Sequence, residues 1–136
     1  MDILRQYIFL IPLVVMILSE TTKAIVAYAR TGSWHHGFFR TGGMPSSHSA
    51  FVTSLLMVVE HKAGAQSVAF AISFVFAAVV WYDAISLRRE VGLQAQMLNK
   101  LQHWTHFTEQ VGHSILEVIA GILFGAAVTI IGIQLS

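Results

Sequence analysis

The sequence predicts an all-α fold: a single domain over residues 1–136, built as a membrane-embedded bundle of four spanning helices plus an interfacial amphipathic helix. Composition, apolar segment length and one stretch of helical periodicity predict it. The 136 residues are 55% hydrophobic and 11% charged, against roughly 25% charged in an average soluble domain. Mean hydropathy is +0.67, more apolar surface than a soluble domain of this length can hide. The net charge of +1 gives no footing for nucleic acid, and the absence of cysteine excludes disulfides and thiolate metal sites.

Each element has its own justification. Ile115–Leu135 carries a single charged residue, Glu117, near its start and meets the ~20-residue requirement for crossing a bilayer. Val68–Leu87 is similar, with Asp83 near its end. Ile8–Leu18 is shorter and spans only if the helix continues through Glu20 and Lys23 to Ala29; Pro12 is a candidate kink. The N-terminus superficially resembles a signal peptide, but Glu20 and Lys23 stand where small residues should precede cleavage, so a retained helix is expected. Ser49–Val59 is the fourth span, again short. Between the last two spans, Arg88–Gln110 places Leu93, Met97, Leu101 and Trp104 at helical spacing, an apolar face for the bilayer surface or the bundle.

Alternating crossings then bring four places to one membrane face. They hold Lys23 and Arg30, the turn Pro45–Ser49, Asp83 with Arg88 and Arg89, and His113 with Glu117. Ionisable residues in membrane segments are costly and mark function by default. The Ser46–Ser47 turn opens a helix whose N–H groups and positive dipole end suit an anion. Lys and Arg add charge, Arg in a bidentate fork that fits phosphate. His113 and Glu117, four apart, share a helix face, so the carboxylate can hold one imidazole nitrogen while the other attacks phosphorus. His48 is then the general acid for the leaving oxygen.

These residues resemble the type 2 phosphatidic acid phosphatase family, related to acid phosphatases and vanadium-dependent haloperoxidases, and in particular its divergent small bacterial and plant branch. "KAIVAYAR" places Lys23 and Arg30 at the family's separation, "PSSH" matches its Pro-Ser-Gly-His turn with Ser47 for glycine, and "GHSILE" supplies His113 with Glu117 for aspartate. The arginine expected six residues before the histidine is absent; Phe107 stands there. "WYDAISLRREVGLQAQMLN", Trp81–Asn99, looks like a block of the divergent branch. The resemblance implies cofactor-free, metal-independent hydrolysis of a phosphomonoester or pyrophosphate through a phosphohistidine. It makes His113 the nucleophile, Glu117 its orienter, His48 the acid, and Lys23, Arg30, Ser46 and Ser47 phosphate ligands. Arg88 or Arg89 is expected to replace the missing arginine, with Asp83 orienting one of them.

The expected substrate is a lipid phosphate of the phosphatidylglycerophosphate, phosphatidic acid or polyprenyl (pyro)phosphate class, taken from the membrane lipids. The alternative is a non-catalytic subunit, or transporter component, that binds phosphate or anionic lipid. A metal site is the weaker reading of His35 and His36, or of His103, His106 and Glu109, since no pair among them has a convincing coordination set on one rigid face with a third ligand. "GILFG", Gly121–Gly125, fits a close helix contact within the monomer or in a homodimer. The expected location is the cell membrane, in several passes. Six of eight Lys/Arg lie on the active side, which favours the cytoplasm; setting aside the four proposed ligands leaves Arg40 and Lys100 against Arg5 and Lys62.

Overall fold

The computed structural model describes residues 9–32, 43–109 and 111–136. Arg5, Trp34, His35, His36, Phe38, Phe39, Arg40 and Gly42 lie outside the described residues. The five helices described are α1 (Leu10–Thr31), α2 (Ser47–Ala63), α3 (Val68–Ile85), α4 (Leu87–Leu101) and α5 (Ile115–Gln134). Together they form an all-α membrane helical bundle.

Its packing is inside-out relative to a soluble domain. Large apolar side chains face outward, among them Ile17, Val68, Ile72, Val79, Leu116 and Leu123, while Ser19, Ser46, Ser49, Ser54 and Thr129 are fully enclosed. Lipid tails are as apolar as leucine, so helices associate through small residues and hydrogen bonds. The hydroxyls of Ser19, Thr21 and Thr22 each donate to a carbonyl one turn back at 2.8 Å, which satisfies them inside their own helix. α1 ends at Gly32, whose φ of 67° lets its N–H reach the Tyr28 carbonyl. Pro12 lies in the first turn of α1, where no helical hydrogen bond is lost, so it does not break the helix.

Three helical stretches are long and apolar enough to cross a membrane: α1, the run Val68–Leu101 and α5. The expected fourth, α2, is not. It has 17 residues, about 25 Å of helix, and is packed by α1, α3 and α5. A helix enclosed by others needs no lipid-compatible surface. Its buried positions are accordingly Ser47, Ser49, Ala50, Val52, Thr53, Ser54 and Val58.

The amphipathic segment also differs from expectation. α4 follows α3 after one non-helical residue, Ser86, and stops at Leu101, leaving Trp104 beyond it. Gly92 and Ala95 are its buried positions, whereas Leu93, Met97, Leu98 and Leu101 face outward.

The closest helix contact joins α5 to α2. A Cβ on Gly121 would run into the Ser46 carbonyl oxygen, and one on Gly125 into that of Ala50. The "GILFG" contact is therefore made within the monomer. Nearby, Thr129 Oγ1 lies 2.7 Å from Ser54 Oγ, a buried cross-link between the same helices. Gly125→Ala is expected to lower stability by about 1–3 kcal/mol, read as a lower thermal midpoint in detergent. Gly132→Ala, which meets only the Ile11 side chain at 3.2 Å, should cost clearly less.

Candidate functional site

The start of α5 organises the site. Ser114 caps the helix in a capping box: its side chain accepts from the Glu117 N–H, and Glu117 Oε2 accepts from the Ser114 N–H at 2.8 Å. The same carboxylate reaches across the bundle, where Oε1 accepts from the Gly43 N–H at 3.2 Å. It also flanks His113, whose Nδ1 stands 3.4 Å from Oε2. That separation is an ion-pair distance, and Nδ1 makes no hydrogen bond among the described residues. Glu117 thus fixes the helix start and the glycine turn, and sits beside the imidazole.

Gly43 has a φ of 98°, which a side chain would strain, and an added Cβ would stand 3.6 Å from Lys23 Cγ. Lys23, buried on α1, therefore passes directly beneath the turn. Its Nζ is 2.9 Å from Glu20 Oε1, which compensates the charge of a cation enclosed within an apolar helix long enough to cross a membrane.

His113 is delivered by the segment returning from α4. Its N–H donates to the Ala84 carbonyl at 3.1 Å. Gly112 packs so closely on Arg89 that a Cβ would fall 2.7 Å from the Arg89 nitrogen. Likewise, the Ser46 N–H donates to the Glu117 carbonyl at 3.1 Å. The four chain ends that alternation predicted on one face do meet.

They enclose a cavity of about 820 Å³ whose walls include Lys23, Arg30, Arg89, His113 and Glu117. Arg30 and Arg89 have no carboxylate partner within ion-pair distance among the described residues. Arg88 is different: its Nε is 2.7 Å from Asp83 Oδ2, and it lies off the cavity wall. Of the two arginines offered by the sequence, Arg89 faces the cavity and Arg88 is the one held by Asp83. His48 is exposed and also off this wall, yet Lys23, Glu20, Asp83, Arg88 and His113 all lie within electrostatic reach of it.

The serine turn departs from expectation. Ser46 is fully buried, its N–H is engaged by Glu117, and its hydroxyl caps α2 and meets Ser49 Oγ at 2.9 Å. It is enclosed, with these bonds directed inside the protein. The Ser47 hydroxyl is buried and has no hydrogen-bond partner among the described residues. Among those residues, no group of three or more His, Cys, Asp or Glu side chains is placed to hold a metal ion.

Over residues 4–128 the sequence matches the divergent PAP2 family. The chain belongs to this family. It is also similar to the uncharacterized membrane protein YuiD of Bacillus subtilis (strain 168), with 31% identity over 96% of both chains. No solved structure matches. In this divergent PAP2 protein, Lys23 and Arg30 lie on α1 and His113 lies just ahead of α5.

Several site residues escaped the sequence reading. Glu20 was legible as a carboxylate one turn from Lys23. The Ser114-x-x-Glu117 pattern signals a capping box. Gly92, Asn99 and Gly112 carry no local signal of these contacts, which form between α4 and the returning segment, and Glu109 figured only in the weaker metal reading.

Burial, the dominant effect, holds the His113 pKa below its ordinary 6.5, and Lys23 and His48 add to this; Glu117 opposes it. The folded protein then keeps His113 neutral where the unfolded chain protonates it. Stability contributed by this group is present above pH 6.5 and is lost as pH falls toward the lower folded value. His113→Gln should flatten the acid-side decline of the thermal midpoint, and an imidazole NMR titration of His113 should give a midpoint below 6.5.

Proposed function

We propose that this PAP2-family membrane protein is a multi-pass phosphatase of lipid phosphates, working through a phosphohistidine. The observation that carries the reading is the shared cavity, with His113 and Glu117 beside Lys23, Arg30 and Arg89. A cavity with two arginines that have no carboxylate partner among the described residues, and a buried neutral imidazole, is suited to a tetrahedral anion and a nucleophile. The many outward apolar side chains on α1, α3 and α5 favour a substrate already dissolved in the bilayer.

In this mechanism His113 Nε2 attacks phosphorus while Glu117 stabilises the proton on Nδ1 and the positive charge that grows on the ring. The P–O bond to the alcohol breaks, and His48 gives its proton to the departing oxygen. Water then attacks the phosphohistidine, passes a proton to His48, and releases inorganic phosphate with neutral His113 restored. Lys23, Arg30 and Arg89 stabilise charge on the equatorial oxygens throughout. Ser47, its hydroxyl unspent, is the remaining ligand from the serine turn; Arg88 with Asp83 acts on His48 rather than on the phosphoryl group.

The test is turnover. Purified protein in detergent should release phosphate from a panel of lipid phosphates with EDTA present, and His113→Ala should abolish release. An unchanged rate in that variant refutes the mechanism. Phosphate binding without turnover in the wild type would instead favour the anionic-lipid-binding subunit. His48→Ala should lose about 10²–10⁴-fold on alkyl phosphates and far less on an aryl phosphate, whose leaving group needs no proton.

A further inference from the structure

The cavity is larger than one phosphoryl group needs. Its volume of about 820 Å³ lies in the upper part of the range for whole organic ligands, roughly 300–1,000 Å³. One wall follows α1 from Lys23 to Thr31, eight residues or about 12 Å along the axis. Lys23, Gly43, His113 and Glu117 mark one end. Thr31 closes that wall, and Glu109 is displaced along α4: Gly112 packs on Arg89, whereas Glu109 bonds Asn99, ten residues or about 15 Å further along the same helix. Glu109 is four residues before His113, so their Cα atoms are at most about 14 Å apart.

An acidic residue is unexpected in the lining of an anion cavity, and the Glu109 side chain is tied down. The Asn99 amide nitrogen donates to Glu109 Oε1 at 2.9 Å and to the Phe107 carbonyl at 2.8 Å, while Asn99 Oδ1 accepts from the Phe107 N–H at 2.8 Å. Three bonds from one side chain thus pin the returning segment to α4. Gly92 lets that segment lie against the helix, since a Cβ there would stand 2.5 Å from the Glu109 carbonyl oxygen. The contacts of Gly92, Asn99 and Gly112 all locate the same few residues.

We infer that Glu109 reads the alcohol half of a phosphate monoester: it accepts hydrogen bonds from hydroxyl or ammonium donors there and turns away a second anionic group. This rests on the reading of the His113 end as a phosphoryl site. An ionised carboxylate only accepts hydrogen bonds and has about four lone-pair sites, of which Asn99 occupies one. A site built to bond a donor discriminates strongly against ligands that lack it. The same charge raises the cost of placing a second phosphate at that end, so a diphosphate is excluded by repulsion rather than by size.

Calorimetric titration of the full chain in detergent tests this with inorganic phosphate, glycerol 3-phosphate, phosphoethanolamine and pyrophosphate. The wild type should bind glycerol 3-phosphate or phosphoethanolamine more tightly than inorganic phosphate, and pyrophosphate less tightly than either ester. Which ester gains identifies the donor as hydroxyl or ammonium. Glu109→Gln, which keeps the shape and the bond to Asn99, should reduce the ester preference about tenfold and improve pyrophosphate relative to inorganic phosphate. Asn99→Ala should shift both ratios in the same direction by unseating Glu109. Inorganic phosphate binding, and its loss in Lys23→Ala, reads the phosphoryl end separately. Unchanged ratios in Glu109→Gln, with inorganic phosphate still bound, overturn the role of Glu109 alone. A wild type that binds none of the four overturns both readings.

Discussion

The contact between the start of α2 and the glycine face of α5 is the constraint on which the rest of the molecule depends. The Ser46 N–H bonds the Glu117 carbonyl, and Gly121 and Gly125 admit the α2 backbone where any side chain would collide. In lipid there is no hydrophobic gain from bringing two apolar helices together, so close backbone approach and buried hydrogen bonds must supply the association. The buried Thr129–Ser54 pair extends the same contact further along the helices. Because the Ser46–Glu117 bond sits at the first turns of both helices, it also sets how far the serine turn lies from His113.

Glu117 converts that packing into a site. Its carboxylate accepts from Ser114 and Gly43 and flanks His113 Nδ1. Gly43 in turn lies on the Lys23 side chain. A single acidic residue therefore couples the histidine ahead of α5 to the cation on α1. The remaining charges are partitioned. Lys23 is paired with Glu20 and Arg88 with Asp83, while Arg30 and Arg89 are left to the cavity. A buried unpaired charge is costly, so the more enclosed Lys23 carries a compensating carboxylate, while the more exposed Arg30 and Arg89 have none among the described residues.

α4 and the segment after it play a separate part. The helix leaves α3 through Ser86 and presents its small residues, Gly92 and Ala95, to the rest of the protein. Asn99 and Gly92 hold the returning segment against it, and the path ends with His113 bonded to Ala84. The outward apolar stripe of α4 is continuous with an apolar run that begins with the helix Val68–Ile85.

Much of the fold was legible because hydropathy and helical period are local properties. The long apolar runs define α1, α3 and α5, and counting their directions together with that of the short segment between α1 and α3 brings Lys23, the serine turn, Asp83 with the two arginines, and His113 to one end. Other features depend on neighbours that no window contains. α2 is too short and polar to be a lipid-facing span, and its enclosure by three helices is what makes it stable. Gly121 and Gly125 fit a dimer as well as a monomer until the α2 backbone is seen against them. Arg88 and Arg89 are adjacent in sequence, yet helix rotation sends one to Asp83 and the other to the cavity. The bond from Gly43 to Glu117 spans 74 positions, and the burial that keeps His113 neutral comes from segments meeting around it. The sequence alone determined which residues could carry charge and chemistry at one end of a bundle; tertiary structure decided which pair with each other and which face the cavity, because pairing depends on packing distance and not on order along the chain.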